Sequence, residues 1–429
     1  MHLTAAESKM LDAIDEAAIV AHLERLVRTP SITGSDTETE LQHESAAELD
    51  QLGFDVDSWK FDLDALTADP RFPGTEAPRT EAHGVVGTLG GAGTPALVLQ
   101  GHVDVVPIGD VTKWAHNDPF SALIEGGVLH GRGACDMKAG VAVNFAVARA
   151  LRASGLVLER PFAIHSVISE EDGGLGAFGT MLRGHGGDAA VLTEPTSGRI
   201  VVANAGALTF ELSVPGRAAH GSTRLAGMSA IDAFLPLYAA LRHLETERNR
   251  DPDPLFAGQQ LPYPISVGTV HAGDWASSVP DLLTATGRLG VRLDEDPARA
   301  RAALEASIAA TCNRDPWLSE NPATVTWPGG QFASGRIDAA HPFVDEVAGC
   351  IGALSGRPEP DRVAAAYGSD LRLYSGLGGI PTLHYGPGDV TFAHAPREQV
   401  VLEDVFTVAR SMALLTVRRC GAHVPQSRT

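Results

Sequence analysis

The sequence predicts an α/β protein whose mainly parallel sheet carries helices on both faces and is interrupted by a separate βαββαβ, ferredoxin-like domain. Three observations predict it. Short β-branched runs alternate with helical patterns from Phe54 to about residue 204, the order changes to βαββαβ over residues 205–327, and α/β text resumes at residue 328. Strands alternating with helices imply parallel strands joined by crossovers and buried on both faces. The βαββαβ order is that of an independent small unit. Residues 1–204 and 328–429 are therefore expected to form one domain, with 205–327 inserted in it as a lid.

Residues 5–29 have apolar positions at helical spacing, and Thr37 to Leu52 repeats the pattern after a Pro/Ser/Gly turn, so two surface helices open the chain. GVVGTL and PALVLQGHVDVV read as strands, Lys138 to Ala153 as a helix, and FAIHSVIS, a helix after Gly174 and the strand AAVLTEP continue the alternation. In the insert, ALTFELSV, PISVGTVH, LLTATGRLGVRL and PATVTW are strands, while Ser229 to Glu247 and Pro297 to Thr311 are helices. A helix at Val344 to Leu354, the strand IPTLHYG and a helix from Leu402 to Val417 close the chain.

With 429 residues, 44% of them hydrophobic and 20% charged, the chain can bury a large core without disulfides. Its 53 acidic residues against 33 basic ones give a formal charge of -20, which repels phosphate backbones and argues against nucleic acid as a partner. Cys135, Cys312, Cys350 and Cys420 form no CxxC pair, so a reduced, cytoplasmic setting without a thiolate zinc site is expected. The N-terminal stretch carries Glu and Asp throughout and reads as neither signal peptide nor anchor. The longest apolar runs are too short to span a bilayer, so no membrane association is expected.

The chemistry-bearing residues recur at strand ends. PALVLQ runs into His102 and Asp104, which face the same way because side chains two apart on a strand do. Asp104 can hold one imidazole nitrogen and leave the other for a metal, although HxD by itself equally describes a surface strand end. Asp136, after Gly131 and Gly133, stands either as a helix N-cap or at the sheet's carboxyl edge, where α/β ligand sites form. Lys138 reads as a solvated first-turn residue. FAIHSVIS ends in Glu170, Glu171 and Asp172, either an exposed acidic turn or a ligand beside a general base. Glu194 ends the next strand, and His394 lies in the Gly/Pro-rich loop after IPTLHYG. Taken together, these residues are enough for two divalent cations sharing one Asp, with one His and one Glu on each. A His/carboxylate set suits zinc, and also cobalt or manganese.

GHVDVVP, GRGACDMKAG, SEEDGG, LTEPT and FAH, in this order and with a domain inserted between the last two, resemble the M20 metallopeptidase and deacylase family, nearest its acetylornithine deacetylase and succinyl-diaminopimelate desuccinylase branch. The resemblance covers essentially the whole chain. It implies that His102 and Glu194 hold one metal, that Glu171 and His394 hold the other, and that Asp136 bridges them. It further implies that Asp104 orients His102, that Glu170 is the general base, and that His220 in GRAAHGST reaches a neighbouring subunit's site in a lid-mediated homodimer. Arg292 falls where relatives grip a substrate carboxylate, and Gly368 and Ser369 fall in a loop near the substrate, where Ser369 and Asp370 could equally cap a helix. Two positions depart from the pattern: Ser277 replaces an Asn of many relatives, and Asn204 stands where the desuccinylase has Arg. The implied reaction is hydrolysis of the amide of a small carboxylate-bearing N-acyl compound. Those departures keep open a dipeptidase or carboxypeptidase, a carbamoyl hydrolase, or an aminohydrolase of an unusual small molecule.

Overall fold

Val, Ile, Leu and Ala fill the segments that become the middle of the large sheet, as expected of strands covered on both sides. The computed structural model describes residues 3–355 and 359–425. Before the insert the large sheet takes β1 (Asp55–Lys60), β2 (His83–Leu89), β3 (Leu97–His102), β4 (Phe162–Val167), β5 (Ala190–Pro195) and β6 (Ile200–Asn204). The insert supplies β7 (Gly206–Pro215), β8 (Ile265–Ala272), β9 (Leu282–Val291) and β10 (Thr324–Thr326) to a second sheet. The large sheet is completed by β11 (Gly335–Arg336), β12 (Arg362–Ala365) and β13 (Thr382–Gly386).

The large sheet has the order β1-β2-β4-β3-β5-β13-β6-β11, with β12 also on β6. β4, β3, β5 and β13 run parallel, so all four carboxyl ends open on one edge. The flanks β1–β2–β4 and β6–β11 are antiparallel. Three helices rather than two open the chain: α1 (Ala5–Asp12), α2 (Glu16–Arg28) and α3 (Asp36–Gln51). The break falls where Asp15 accepts the Ala18 N–H and restarts the helix, a side-chain cap that apolar spacing does not reveal. α4 (Leu63–Ala68) follows β1. α5 (Ala139–Ser154) is buried along nearly its whole length against β3 and β5. A Cβ on its Gly140 would sit 2.1 Å from the Thr193 carbonyl oxygen, and this close approach brings the Asp136 loop beside Glu194. α6 (Leu175–Leu182) and the helical turn Leu373–Leu377 lie on the other face.

The second sheet has the order β8-β9-β7-β10, all antiparallel. Leu208, Phe210, Leu212 and Val214 face a core under α7 (Ala230–Arg248) and α8 (Pro297–Cys312), while the alternate residues form an open face. Gln331 and Phe332 still pair with β7, and Gly335 already pairs with β6, so the chain returns to the large sheet a few residues after 328. α9 (Pro342–Ser355) and α10 (Leu402–Cys420) finish the large domain. Among the described residues no helix is long and apolar enough to cross a membrane.

Two buried histidines set an acid limit on this fold. Burial holds His165 and His384 near pKa 3, against 6.5 for a solvated imidazole. The folded state binds these protons less readily than the unfolded one, so their contribution is complete above pH 6.5 and is lost as the pH falls toward 3. The urea midpoint of the protein is therefore expected to drop between pH 6.5 and 5, and to drop less steeply in His165→Gln. A midpoint that stays flat over that interval would contradict this reading.

Candidate active site

β3 delivers His102 fully buried at the carboxyl edge. With Nδ1–H donating to the Asp104 carbonyl at 3.0 Å, Nε2 faces the loops of the neighbouring strands. The Asp104 carboxylate lies 3.5 Å from Nδ1 and accepts from Thr33 Oγ1 (3.0 Å) and from the backbone N–H groups of Glu170 (3.2 Å) and Glu171 (3.3 Å). One buried carboxylate thus orients both the imidazole and the acidic loop after β4.

Asp136 sits between two imidazoles. Its Oδ1 is 3.3 Å from His102 Nε2 and its Oδ2 is 3.4 Å from His394 Nε2. Glu194 Oε1 approaches His102 Nε2 to 3.7 Å, and Glu171 Oε2 approaches His394 Nε2 to 3.0 Å. Glu170 Oε2 is 3.9 Å from His102 Nε2. The five ligand residues implied by the resemblance and Glu170 therefore converge at one edge.

The loops carrying these groups are fixed by buried ion pairs that give no signal in the motifs. Glu398, paired with Arg132, accepts the backbone N–H groups of Cys135 (3.3 Å) and Asp136 (3.2 Å). Asp172 is not a ligand: its Oδ2 accepts from Thr75 Oγ1 (2.7 Å), Glu76 N (3.1 Å) and Ala77 N (2.8 Å). Glu38 binds Arg79 (2.9 Å) and the Ser169 N–H (3.2 Å). Lys138 is buried, not solvated. Its Nζ donates to the Leu26 and Thr29 carbonyls at 2.8 and 2.6 Å, stapling the end of α2 to the Asp136 loop, and burial lowers its pKa to about 7.

The electrostatics of the edge call for added positive charge. Burial raises Glu170 well above the usual carboxylate range, raises Glu171, and pushes Glu194 to about 8. Burial alone would lower His102, but Asp104, Asp136 and Glu194 hold it well above 6.5. The adjacent Glu171 carboxylate takes His394 up to about 11. Asp136 stays low despite burial because both imidazoles face it. The residues fit a divalent cation on a further observation: His102 Nε2 is buried without any hydrogen-bond partner. Ligand atoms of His102, Asp136 and Glu171 all lie within 4.8 Å of one another.

A cavity of about 350 Å³ opens over this edge, lined on the large domain by Glu170, Glu194, Tyr367, Gly368, Ser369 and His394. From the insert, Ala207, Thr209 and Arg288 face it. Ser369 Oγ accepts the Leu371 N–H at 3.1 Å and pairs with His384 Nε2 at 3.0 Å, so it also serves the local turn. Asn204 is buried at the end of β6 and donates to the carbonyls of Ala205 and Tyr367, both at 3.2 Å. The guanidinium facing the cavity is that of Arg288 and not that of Arg292. Arg292 Nε and Nη2 bind the Arg248 carbonyl at 3.0 and 2.6 Å, capping the last turn of α7. Arg288 stands within β9, opposite Thr209 of β7, a register that no local motif records. His220 and Ser277 are exposed on the insert, with Ser277 O accepting the Gly221 N–H at 2.6 Å, and neither lines the cavity.

A His/carboxylate cluster, largely buried apart from the exposed His394, at the carboxyl edge of a parallel sheet and facing a cavity roofed by an inserted domain, defines a metal-dependent hydrolase. The chain belongs to peptidase family M20/M25/M40, which it matches over residues 98–418. It is 27% identical over 420 residues to the N-formyl-4-amino-5-aminomethyl-2-methylpyrimidine deformylase of Bacillus subtilis, covering 92% of each chain. It is 26% identical to a Caulobacter succinyl-diaminopimelate desuccinylase, over 94% of this chain and 96% of that one. The yeast dipeptidase Dug1p shares the fold with a TM-score of 0.76 at 14% identity, over 98% of this chain and 99% of that one. The protein is accordingly a hydrolase of C–N amide bonds, as the resemblance implied.

Proposed function

We propose that the protein is a two-cation deacylase that hydrolyses the amide of a small N-acyl compound bearing an anionic group. The observation that carries this reading is Asp136, whose two carboxylate oxygens address His102 and His394 separately, with Glu194 and Glu171 beside them. His102 and Glu194 would hold one cation, Glu171 and His394 the other, and Asp136 both. When bound, the cations supply Lewis-acid polarisation and lower the pKa of water, and the donor set favours zinc, with cobalt or manganese as substitutes. Glu170 takes the proton of the attacking water and returns it to the leaving amine. Tyr367 and Arg288 close the cavity over the substrate. Arg288 forms no ion pair among the described residues and donates only to the Ala366 carbonyl (2.9 Å), so its guanidinium suits an anionic substrate group.

His220 stabilises the oxyanion in the site of a second copy, which explains its distance from the cavity of its own chain. Leu225, Ile231, Leu235 and Tyr238, exposed on and before α7, form the apolar surface for that pairing in the cytoplasm. A panel of N-formyl, N-acetyl and N-succinyl amino acids, carbamoyl amino acids and dipeptides, offered to zinc- and cobalt-loaded protein, tests the reading. Hydrolysis of N-acyl acids supports it. Turnover of dipeptides or carbamoyl compounds alone would replace it with one of those activities.

A further inference from the structure

We propose that Glu76 is a specificity-determining residue that selects substrates carrying an ammonium group beyond the scissile amide. The inference rests on the N-acyl reading above and names what that substrate must also contain. Glu76 belongs to the loop between α4 and β2, far in sequence from every motif, yet its side chain lines the same cavity as Glu170 and Arg288. Its Oε1 accepts from Thr209 Oγ1 at 2.7 Å and from the Gly330 N–H at 3.4 Å. Among the described residues it forms no ion pair, and it is exposed where the cavity opens.

The position of this carboxylate is fixed on both sides. Asp172 accepts the N–H groups of Glu76 and Ala77 and the Thr75 hydroxyl, and the Pro73 carbonyl accepts the Gln331 N–H at 2.7 Å. Thr209 stands directly opposite Arg288 in the β7–β9 pair, so both point from the same face. Directly opposed side chains on an antiparallel pair are about 5 Å apart at Cβ. The Glu76 carboxylate, hydrogen-bonded to Thr209, therefore lies one strand away from the Arg288 guanidinium, and among the described residues neither is in an ion pair. The roof of the cavity presents a negative and a positive handle together, the complement of a ligand with an ammonium and a carboxylate. Rigid presentation of both handles reduces the ordering cost of binding such a ligand.

Glu76→Gln separates this role from that of a simple latch. The amide keeps an oxygen for Thr209 and Gly330 while the charge is removed. Affinities of Nα-acetyl-L-lysine and Nα-acetyl-L-norleucine would be measured by calorimetry on zinc-loaded, full-length Glu170→Gln protein, with and without Glu76→Gln. With Glu76 present, the lysine compound is expected to bind about fivefold tighter, the upper range for a geometrically fixed ion pair at an exposed carboxylate. Once Glu76→Gln has removed the charge, the preference is expected to fall below about twofold on the same basis. Equal affinities with Glu76 present, a preference that survives Glu76→Gln, or no measurable binding of the lysine compound would overturn the proposal. Failure of unsubstituted protein to hydrolyse any N-acyl compound would instead count against the deacylase reading and leave the affinity comparison readable.

Discussion

Replacing Glu170 by Gln is expected to lower turnover by about 10³-fold or more, in the upper range for loss of a positioned general base, while zinc content stays near that of the unsubstituted protein. The reason is positional. Glu170 lies farther from His102 Nε2 (3.9 Å) than Asp136 or Glu194 does, and its backbone N–H is held by Asp104 regardless of its side chain. Gln preserves shape and one acceptor oxygen, so the loop stays in place and Glu171 keeps its approach to His394. What is lost is a group able to accept a proton in this buried setting, where removal from water has already raised the basicity of the carboxylate. Parallel measurement of kcat and of metal by mass spectrometry decides the matter. Loss of metal with activity per bound metal retained would reassign Glu170 as a ligand.

The contrast between Glu170 and its supporting residues also shows which features sequence reading can reach. His102, Glu194 and the Glu170–Glu171 pair were legible because each lies at or just beyond the end of a strand, and parallel strands bring their ends to one edge whatever lies between them, while Asp136 was legible from the glycine-flanked turn that precedes a helix. The insert was legible for a similar reason, since alternation in β7 and β9 marks one buried face. Residues that act through pairing at long range were not legible. Glu398 reaches Asp136 across 262 positions and Asp172 reaches the Glu76 loop across 96, and neither contact leaves a periodic trace. Arg292 misled for the same reason: one arginine lies in β9 and the other just past its end, and only the packing of α7 decides which guanidinium caps a helix and which faces the cavity. Lys138 misled because a lysine in a first turn is usually solvated, whereas here two carbonyls at the end of α2, those of Leu26 and Thr29, receive it.

Asp136→Ala is expected to have the second large effect: bound metal should fall from two equivalents to one or fewer, and activity should fall below detection. Each oxygen of this carboxylate serves a different imidazole, so a single substitution removes a donor from both halves of the centre. His102 and Glu194 would be left on one side, with Glu171 and His394 on the other, two donors each, too few for the four-coordinate geometry zinc prefers. The substitution also removes a negative charge that helps hold both imidazoles protonated in the metal-free state. Metal-free Asp136→Ala protein should nevertheless remain folded, because its loop is still anchored by Glu398 through backbone N–H groups that Ala retains. The measurement that separates these effects is thermal unfolding with and without added zinc. The unsubstituted protein is expected to gain stability on addition of zinc, because a ligand that binds the native state preferentially stabilises it, and most of that gain should vanish in Asp136→Ala while the metal-free midpoint changes little. Retention of two tightly bound equivalents, with the zinc-dependent rise intact, would mean that the cations do not share Asp136.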